Sequence, residues 1–503
     1  MLPDAAARRA IVFAGCLGMI YTQLTMSPAA TEYARSLGAK GWHIGLLGAL
    51  PTLMLVTQFA AAVVANRLRY RRRLWMAVAV AERLLFVPAA LFAVWPSGLS
   101  NDGQLWMFIA LTAVNHALLH FCTPLWLSWM GDYLPKEGLS RFWGIRHNWM
   151  QWAAAASLFG GAVWLRHSGW EFAPAFGVML LVGAACGVVD VLCFARVHEP
   201  PVTPADEPRW RDVFAAPFRD GDFRRFIVFQ CYWNFAVMTA APFISIYLLQ
   251  KGIMGPDRLL MLWGASWVGG AVLSQRLGRL VETYGNKPVM NLCTVFKSAN
   301  IIALLFMPAD PDLAFWLLAV VFMFDALLNA GMAIAQNGFL LKNSPAGNRT
   351  MYVAAGTALA GMVGGVTSIA TGAAISIFSG WSMPVGAATW GPFEVAFAVS
   401  IVLRIGGVWV GRYVREASSN TTAAEVLVQL IGVTPIRALQ FPLGLYRSRF
   451  GEERTVVPSV VMTIERSTER LEPVTLADPI EPVNSVQTEA PSPTPSRELV
   501  RVA

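Results

Sequence analysis

The sequence predicts an all-α membrane protein of twelve transmembrane helices arranged as two six-helix bundles. Three observations predict it. Twelve long apolar stretches run between about residues 10 and 411. Only 14% of the 503 residues are charged, while 55% are hydrophobic; soluble domains carry about 25% charged residues. Loop residues of the second six stretches echo those of the first six.

A run of about 20 apolar residues crosses a bilayer as a helix. In lipid only structures that satisfy their own backbone are viable, so these stretches are read as helices. The spans are 10–30, 44–64, 74–95, 105–129, 147–166 and 173–195, then 226–249, 259–277, 288–307, 314–337, 350–378 and 391–411. Pro51, Pro88, Pro124 and Pro242 lie inside them, as is usual in membrane helices. The first stretch is basic and then apolar like a signal peptide. It has no clear small-residue cleavage site, so it is read as a retained span.

The loops set the orientation. One alternate set carries Arg8, Arg9, the run Arg67 to Arg73, Arg141, Arg146, Arg196 to Arg225, Arg276, Lys287, Arg349 and Arg412. The other set holds little beyond Arg35, Lys40, Arg166, Lys251 and Arg258. The ratio, about 23 basic residues against 5, places both termini in the cytoplasm of a multi-pass protein of the cell membrane. The net charge of +8 is therefore a topology signal and implies no nucleic-acid partner. The domain reading is an N-terminal bundle (1–196), a Pro- and charge-rich cytoplasmic linker (197–225), a C-terminal bundle (226–415) and a cytoplasmic tail (416–503). The tail is first broken and amphipathic, then rich in Ser, Thr, Pro and Glu, a composition that stays disordered.

No cysteine pair has metal-ligand spacing, and no phosphate loop, H-E-x-x-H or G-x-S-x-G occurs. An ATP-driven pump, a metalloenzyme and a serine hydrolase are thereby disfavoured, and no cofactor or metal is expected.

The loop after span 8, GRLVETYGNKP, resembles the signature loop of the major facilitator superfamily through Gly278, Glu282, Gly285 and Lys287. Glycines let helix ends approach, and the acid meets a helix N-terminus or an arginine. The loop after span 2 is the first-half copy. It keeps the basic end but has Val64, Leu68 and Arg71 at the positions of Gly278, Glu282 and Gly285. This leaves the first-half lock open. The loops after spans 4 and 10 form a second echo: each has a proline, an arginine (Arg141, Arg349) and an aromatic before a small-residue helix. In the first of them Arg146 closes the loop. The resemblance covers about residues 10–411. It implies a secondary transporter that moves a small solute by alternating access around a midplane site between the repeats. A sensor or lipid flippase built on the same fold is the alternative, and a membrane-embedded enzyme a more distant one.

Charges at bilayer depth cost about 2.5–3.5 kcal/mol or more, so each is a candidate for function. Arg83 and Lys297 share a repeat position: the offset that carries Val64 onto Gly278 also carries one onto the other. They are read either as binding groups for an anionic solute or as members of ion pairs inside the bundle. Glu82 adjoins Arg83, but successive helical residues point about 100° apart. Asp325 lies in the middle of span 10, on one stripe with Asn329, Met332 and Gln336, and matches Asn115 of span 4. The resemblance puts span 10 on the central cavity. That makes Asp325 either a carrier of the coupling proton or a buried acid that ties helices together. Span 4 also carries His116 and His120, which titrate near neutrality. No third ligand accompanies them in that span for a metal. Gln230 and Asn234 of span 7, and Tyr21, Thr22 and Gln23 of span 1, either orient a polar solute or bridge helices. Gly361 and Gly365 form a GxxxG face for close packing between halves. The partners implied are a small-molecule substrate, a proton or another cation, and the lipid bilayer.

Overall fold

The computed structural model describes residues 4–95, 98–135, 139–201, 218–342, 349–386 and 388–415. Its elements are helices and one small hairpin. Ten helical stretches among the described residues are long and apolar enough to cross a membrane. The expected spans five and eight fall outside that count. Both form helices of 29 residues, Leu139–His167 and Pro256–Tyr284. They carry polar residues at one end or both, among them His147, Asn148 and Gln151 in the first and Asp257 and Arg258 in the second.

Span 1 is two helices, α1 (Asp4–Thr25) and α2 (Pro28–Ser36). Ser27 caps α2 by accepting from the Ala29 N–H, and Pro28 takes the first helical position, where no N–H is needed. Span 2 is α3 (Gly41–Leu53), a short 3₁₀ turn and α4 (Thr57–Arg67). Span 3 is α5 (Arg72–Leu84) and α6 (Phe86–Val94). The long α7 (Asn101–Tyr133), α8 (Leu139–His167) and α9 (Phe172–Cys193) complete the first half.

The second half repeats the plan. Span 7 is α10 (Gly221–Met238) and α11 (Ile244–Gln250), parted at Pro242. Then follow α12 (Pro256–Tyr284), α13 (Asn286–Phe296) and α14 (Ala299–Leu305) as a broken span 9, α15 (Pro311–Lys342), α16 (Arg349–Ile377) and α17 (Pro392–Arg412). Between α16 and α17, β1 (Met383–Val385) and β2 (Ala388–Trp390) pair antiparallel. Gly386 takes φ 60° in their turn, a conformation that favours glycine.

Large apolar side chains face outward, among them Val320, Val366, Val402 and Trp409. In a soluble protein that surface would aggregate; around a bilayer-spanning bundle it is the solvated surface.

The halves join chiefly through two helix pairs, α3 with α16 and α8 with α12, with α2 also meeting α11 and α12. The first pair is glycine-lined on both sides. A Cβ at Gly45 would lie 2.5 Å from the Ser368 carbonyl oxygen, and one at Gly372 would lie 2.6 Å from the Gly41 carbonyl oxygen. The expected GxxxG face is in this seam, with Gly361 against Thr52 and Gly365 against Leu53. Ser368 Oγ donates to the Gly45 carbonyl at 2.7 Å, and the Trp42 N–H donates to Ser376 Oγ at 2.9 Å. These contacts lie toward the arginine-poor end of the bundle. In the second pair Gly264 rests on the Phe159 ring.

The loop after span 2 is anchored although it lacks the family's acid. Glu199, at the start of the linker, accepts from the backbone N–H groups of Arg71 and Arg72. Arg71 Nη1 donates to Ser128 Oγ at 2.5 Å and pairs with Asp132 at 3.1 Å. Acids from span 4 and the linker thus do locally what Leu68 cannot. In the matching second-half loop, Gly285 turns the chain at φ 91° and Lys287 Nζ donates to the Arg412 carbonyl at 3.2 Å. Gly278 and Glu282 fall in the last turns of α12. The side chains of residues 278 and 282, and those of Arg141 and Arg349, lie outside the described residues, as do the linker from residue 202 to 217 and the tail from residue 416.

Candidate functional site

Arg83 and Lys297 each stand where a broken span interrupts its helix. In span 3 the break follows Leu84, just ahead of Pro88, which has no N–H to donate. In span 9 it falls at Lys297 and Ser298, between α13 and α14. A break frees backbone carbonyls at membrane depth, and polar side chains must satisfy them.

In the first half the Glu82 carbonyl keeps one backbone bond at the break, from the Leu85 N–H at 3.3 Å, and takes side-chain donors as well. It accepts from Asn115 Nδ2 at 3.0 Å and from the Tyr21 hydroxyl at 3.3 Å. The same donors serve the carboxylate: Asn115 Nδ2 reaches Glu82 Oε1 at 2.9 Å and the Tyr21 hydroxyl reaches it at 3.1 Å. The other oxygen, Oε2, pairs with Arg83 Nη1 at 2.5 Å. Adjacent helical residues point apart, yet this pair forms because the long arginine side chain folds back. Arg83 Nη2 also pairs with Asp190 Oδ2 of span 6 at 3.1 Å, and its guanidinium lies 4.3 Å from the Tyr21 ring centroid.

In the second half Arg404 of span 12 donates through Nη1 to the freed Lys297 carbonyl at 2.7 Å and to Asn300 Oδ1 at 3.0 Å. Lys297 Nζ pairs with Asp325 Oδ1 at 2.5 Å, and Asn329 Nδ2 donates to Asp325 Oδ2 at 3.0 Å. Two four-residue clusters thus gather most of the candidate residues: Tyr21, Glu82, Arg83 and Asn115 in one half, and Lys297, Asp325, Asn329 and Arg404 in the other.

Sequence reasoning does not single out Asp190 or Arg404. Both lie in apolar spans, and the repeat offset that carries Arg83 onto Lys297 also carries Asp190 onto Arg404. That offset is the signal that finds them. The repeat position inverts its charge between halves. The first cluster, with Asp190, has two acids and one base; the second has one acid and two bases.

A cavity of about 420 Å³ lies between the halves. Thr31, Pro51, Thr112 and His116 line it from the first half, and Pro242, Ser245 and Trp263 from the second. His116 is buried and its Nδ1 has no hydrogen-bond partner among the described residues. His120 stacks against it at 6.3 Å, and His120 Nε2 donates to the Pro51 carbonyl at 2.7 Å. Gln230 and Asn234 stay apart from this cavity on α10. Asn234 Nδ2 donates to the Gln230 carbonyl at 3.0 Å, and its side chain packs where Gly364 leaves room. The glutamine is buried with Oε1 unpartnered among the described residues.

Arg146, expected at the cytoplasmic loop, instead reaches into the first bundle. Its guanidinium stacks 4.9 Å from the Trp126 ring centroid and 5.3 Å from that of Trp143.

Comparisons with known proteins agree on what this architecture is. The family model described as Major Facilitator Superfamily matches residues 11–369. The fold is similar to that of a point mutant of the nucleoside transporter NupG, with TM-score 0.62, 13% identity, and coverage of 82% of this chain and 100% of that one. It is also similar to a D-xylose-proton symporter, with TM-score 0.60, 12% identity, and coverage of 83% and 98%. A bacterial homologue of the human lysosomal transporter Spinster, inward-facing and unoccupied, gives TM-score 0.54 at 15% identity over 82% and 95%. No curated protein sequence matches the chain. At these identities the structural likenesses speak for the fold, while the family match spans most of the apolar region. With ten membrane-length apolar helices among the described residues, the match shows that the chain belongs to the Major Facilitator Superfamily and is an integral membrane transporter of small solutes.

Proposed function

We propose that the protein is a secondary transporter that works by alternating access, with its substrate path through the cavity between the halves and with proton movement as the driving force. The observation that carries the reading is the seam between α3 and α16. Backbone meets backbone there through glycines, and only two side-chain hydrogen bonds cross among the described residues. Such a surface closes tightly yet holds few specific bonds that must break on opening. Its position toward the arginine-poor end, on the positive-inside reading, makes this conformation closed to the outside.

Proton coupling rests on the Lys297–Asp325 pair. A proton on Asp325 dissolves the ion pair, frees the Lys297 ammonium and loosens the contact between spans 9 and 10. Arg404 holds the Lys297 carbonyl, so the backbone at the break stays in place while the side chain is released. His116, whose Nδ1 has no partner among the described residues, stands on the cavity wall as a second proton acceptor on the path. The cytoplasmic placement of both termini and residence in the cell membrane belong to the same reading.

The test is uptake into liposomes containing the purified protein, under an inward proton gradient. Accumulation that disappears when an ionophore collapses the gradient supports coupling. Accumulation unaffected by the ionophore contradicts it, and an Asp325→Asn variant that still accumulates solute against a gradient removes Asp325 from the proton path.

A further inference from the structure

The first bundle holds a second cavity, of about 320 Å³, walled by spans 1, 3, 4, 5 and 6. This volume sits at the lower end of the range for small-molecule sites, about 300–1,000 Å³. Two of its charged groups have spare hydrogen-bonding capacity. Arg146 donates from Nε to the Ile11 carbonyl at 3.4 Å and stacks on two tryptophans, but its two Nη groups have no acceptor among the described residues. Asp190 accepts from Arg83 on Oδ2, and its Oδ1 takes no hydrogen bond among the described residues. The one guanidinium of Arg83 serves both Glu82 and Asp190. Among the described residues, one wall therefore offers a guanidinium with no hydrogen-bond acceptor on either Nη, and another an acid whose Oδ1 takes no hydrogen bond.

The spacing of these two groups follows from α1. A Cβ placed on Gly15 would lie 2.9 Å from Arg146 Nη2, and one placed on Gly18 would lie 2.8 Å from Asp190 Oδ2. Positions three apart on a helix have Cβ atoms about 5–6 Å from each other. The guanidinium and the carboxylate are thus on the order of 5–10 Å apart. An α-amino acid carries its ammonium and carboxylate a few ångströms apart. With one hydrogen bond at each end, each about 2.8 Å, it spans this gap. The remaining wall, with Trp75, Trp126 and Phe194, is aromatic and suits an apolar side chain.

We propose that this cavity binds a zwitterion of the α-amino-acid type. Arg146 takes the carboxylate, Asp190 takes the ammonium, and the apolar side chain lies against the tryptophans. The inference goes beyond the transporter reading, because this cavity is lined by the first half alone and is separate from the cavity between the halves. It is tested by binding alone, so its failure leaves that reading untouched, and a failure of proton-driven uptake leaves this site untouched.

The experiment is equilibrium binding to the full-length protein in lipid nanodiscs. The probes are L-phenylalanine, 3-phenylpropionate, which lacks the ammonium, and phenethylamine, which lacks the carboxylate. The expected result is saturable L-phenylalanine binding, with each single-charge analogue weaker by about 10- to 100-fold, the effect of losing one charged hydrogen bond. In Arg146→Gln the advantage of L-phenylalanine over phenethylamine disappears. In Asp190→Asn its advantage over 3-phenylpropionate disappears. The proposal is overturned if L-phenylalanine does not bind, if an analogue lacking one charge binds as tightly, or if Arg146→Gln leaves the three affinities unchanged. The analogue comparison on the unaltered protein decides the matter even where Asp190→Asn fails to fold.

Discussion

Arg83 and Lys297 occupy the same place in the two halves: each lies at a helix break and is ion-paired, Arg83 to Glu82 and Asp190 and Lys297 to Asp325. The partners come from different spans, 3 and 6 in one case and 10 in the other. The two positions share a buried cation and differ in the side chains that surround it.

The Lys297–Asp325 pair separates structural from functional roles. Both side chains are largely buried. Removing one partner of a buried pair costs about 3–5 kcal/mol, whereas replacing both by apolar residues is often neutral. Lys297→Met alone and Asp325→Leu alone are expected to lower the unfolding temperature in detergent clearly. The double variant is expected to recover most of the loss while remaining inactive in proton-driven uptake. A double variant that recovers both stability and coupled uptake would leave the pair purely structural.

Tyr21 holds the first-half cluster together through one hydroxyl, which contacts Glu82 and receives the Asn115 amide at 2.5 Å. Tyr21→Phe leaves a buried carboxylate and amide short of a partner, at a cost of about 1–3 kcal/mol. Thermal unfolding of the variant in detergent measures this. A stability within error of the unaltered protein would show that the cluster holds without the hydroxyl.

The seam between α3 and α16 has no space for side chains at Gly45 and Gly372. Gly45→Val and Gly372→Val are expected to hold the arginine-poor end apart. Maleimide labelling of a cysteine introduced at Thr31, which lines the central cavity, should then speed up several-fold from outside and uptake should fall. Unchanged labelling would mean that the seam is not the outer closure.

Glu199 accepts two backbone N–H groups at the start of span 3, so Glu199→Ala leaves the N–H groups of Arg71 and Arg72 without that acceptor. A loss of about 1–2 kcal/mol is expected, comparable to removing a strong helix cap. Glu199→Gln should recover part of it, since an amide oxygen still accepts. Hydrogen exchange of residues 71–75 checks this locally.

Much of this is legible in the sequence. Chain length in lipid dictates the helices, so the spans, the pairing of halves and the cations at 83 and 297 follow from hydropathy and one repeat offset. Glycines such as Gly361 and Gly365 point to close packing because only close packing needs them. The helix breaks are less legible. Pro88 and Pro242 mark two of them, but nothing in the residues around Lys297 and Ser298 is a breaker, and tertiary hydrogen bonds from Arg404 support that one. Asp190 and Arg404 escape a linear reading because each is a single charge in a long apolar run. Applying the offset to every charge, not only to the first pair found, exposes them. The departure of the loop after span 2 from its family pattern is legible, but its contacts are not: Asp132 and Glu199 meet Arg71 and Arg72 from outside the motif, where no local pattern looks.

Reciprocal movement of the two ends tests alternating access most directly. In a variant without native cysteines, spin labels at Lys40 and Ser379 report the arginine-poor end, and labels at Tyr70 and Tyr413 report the arginine-rich end; all four positions are exposed. Each pair joins one half to the other. On moving from alkaline to acidic medium, proton-driven alternating access predicts that the Lys40–Ser379 distance lengthens in the same population in which the Tyr70–Tyr413 distance shortens. Distances that stay single and fixed across that range, or that lengthen together, would contradict it.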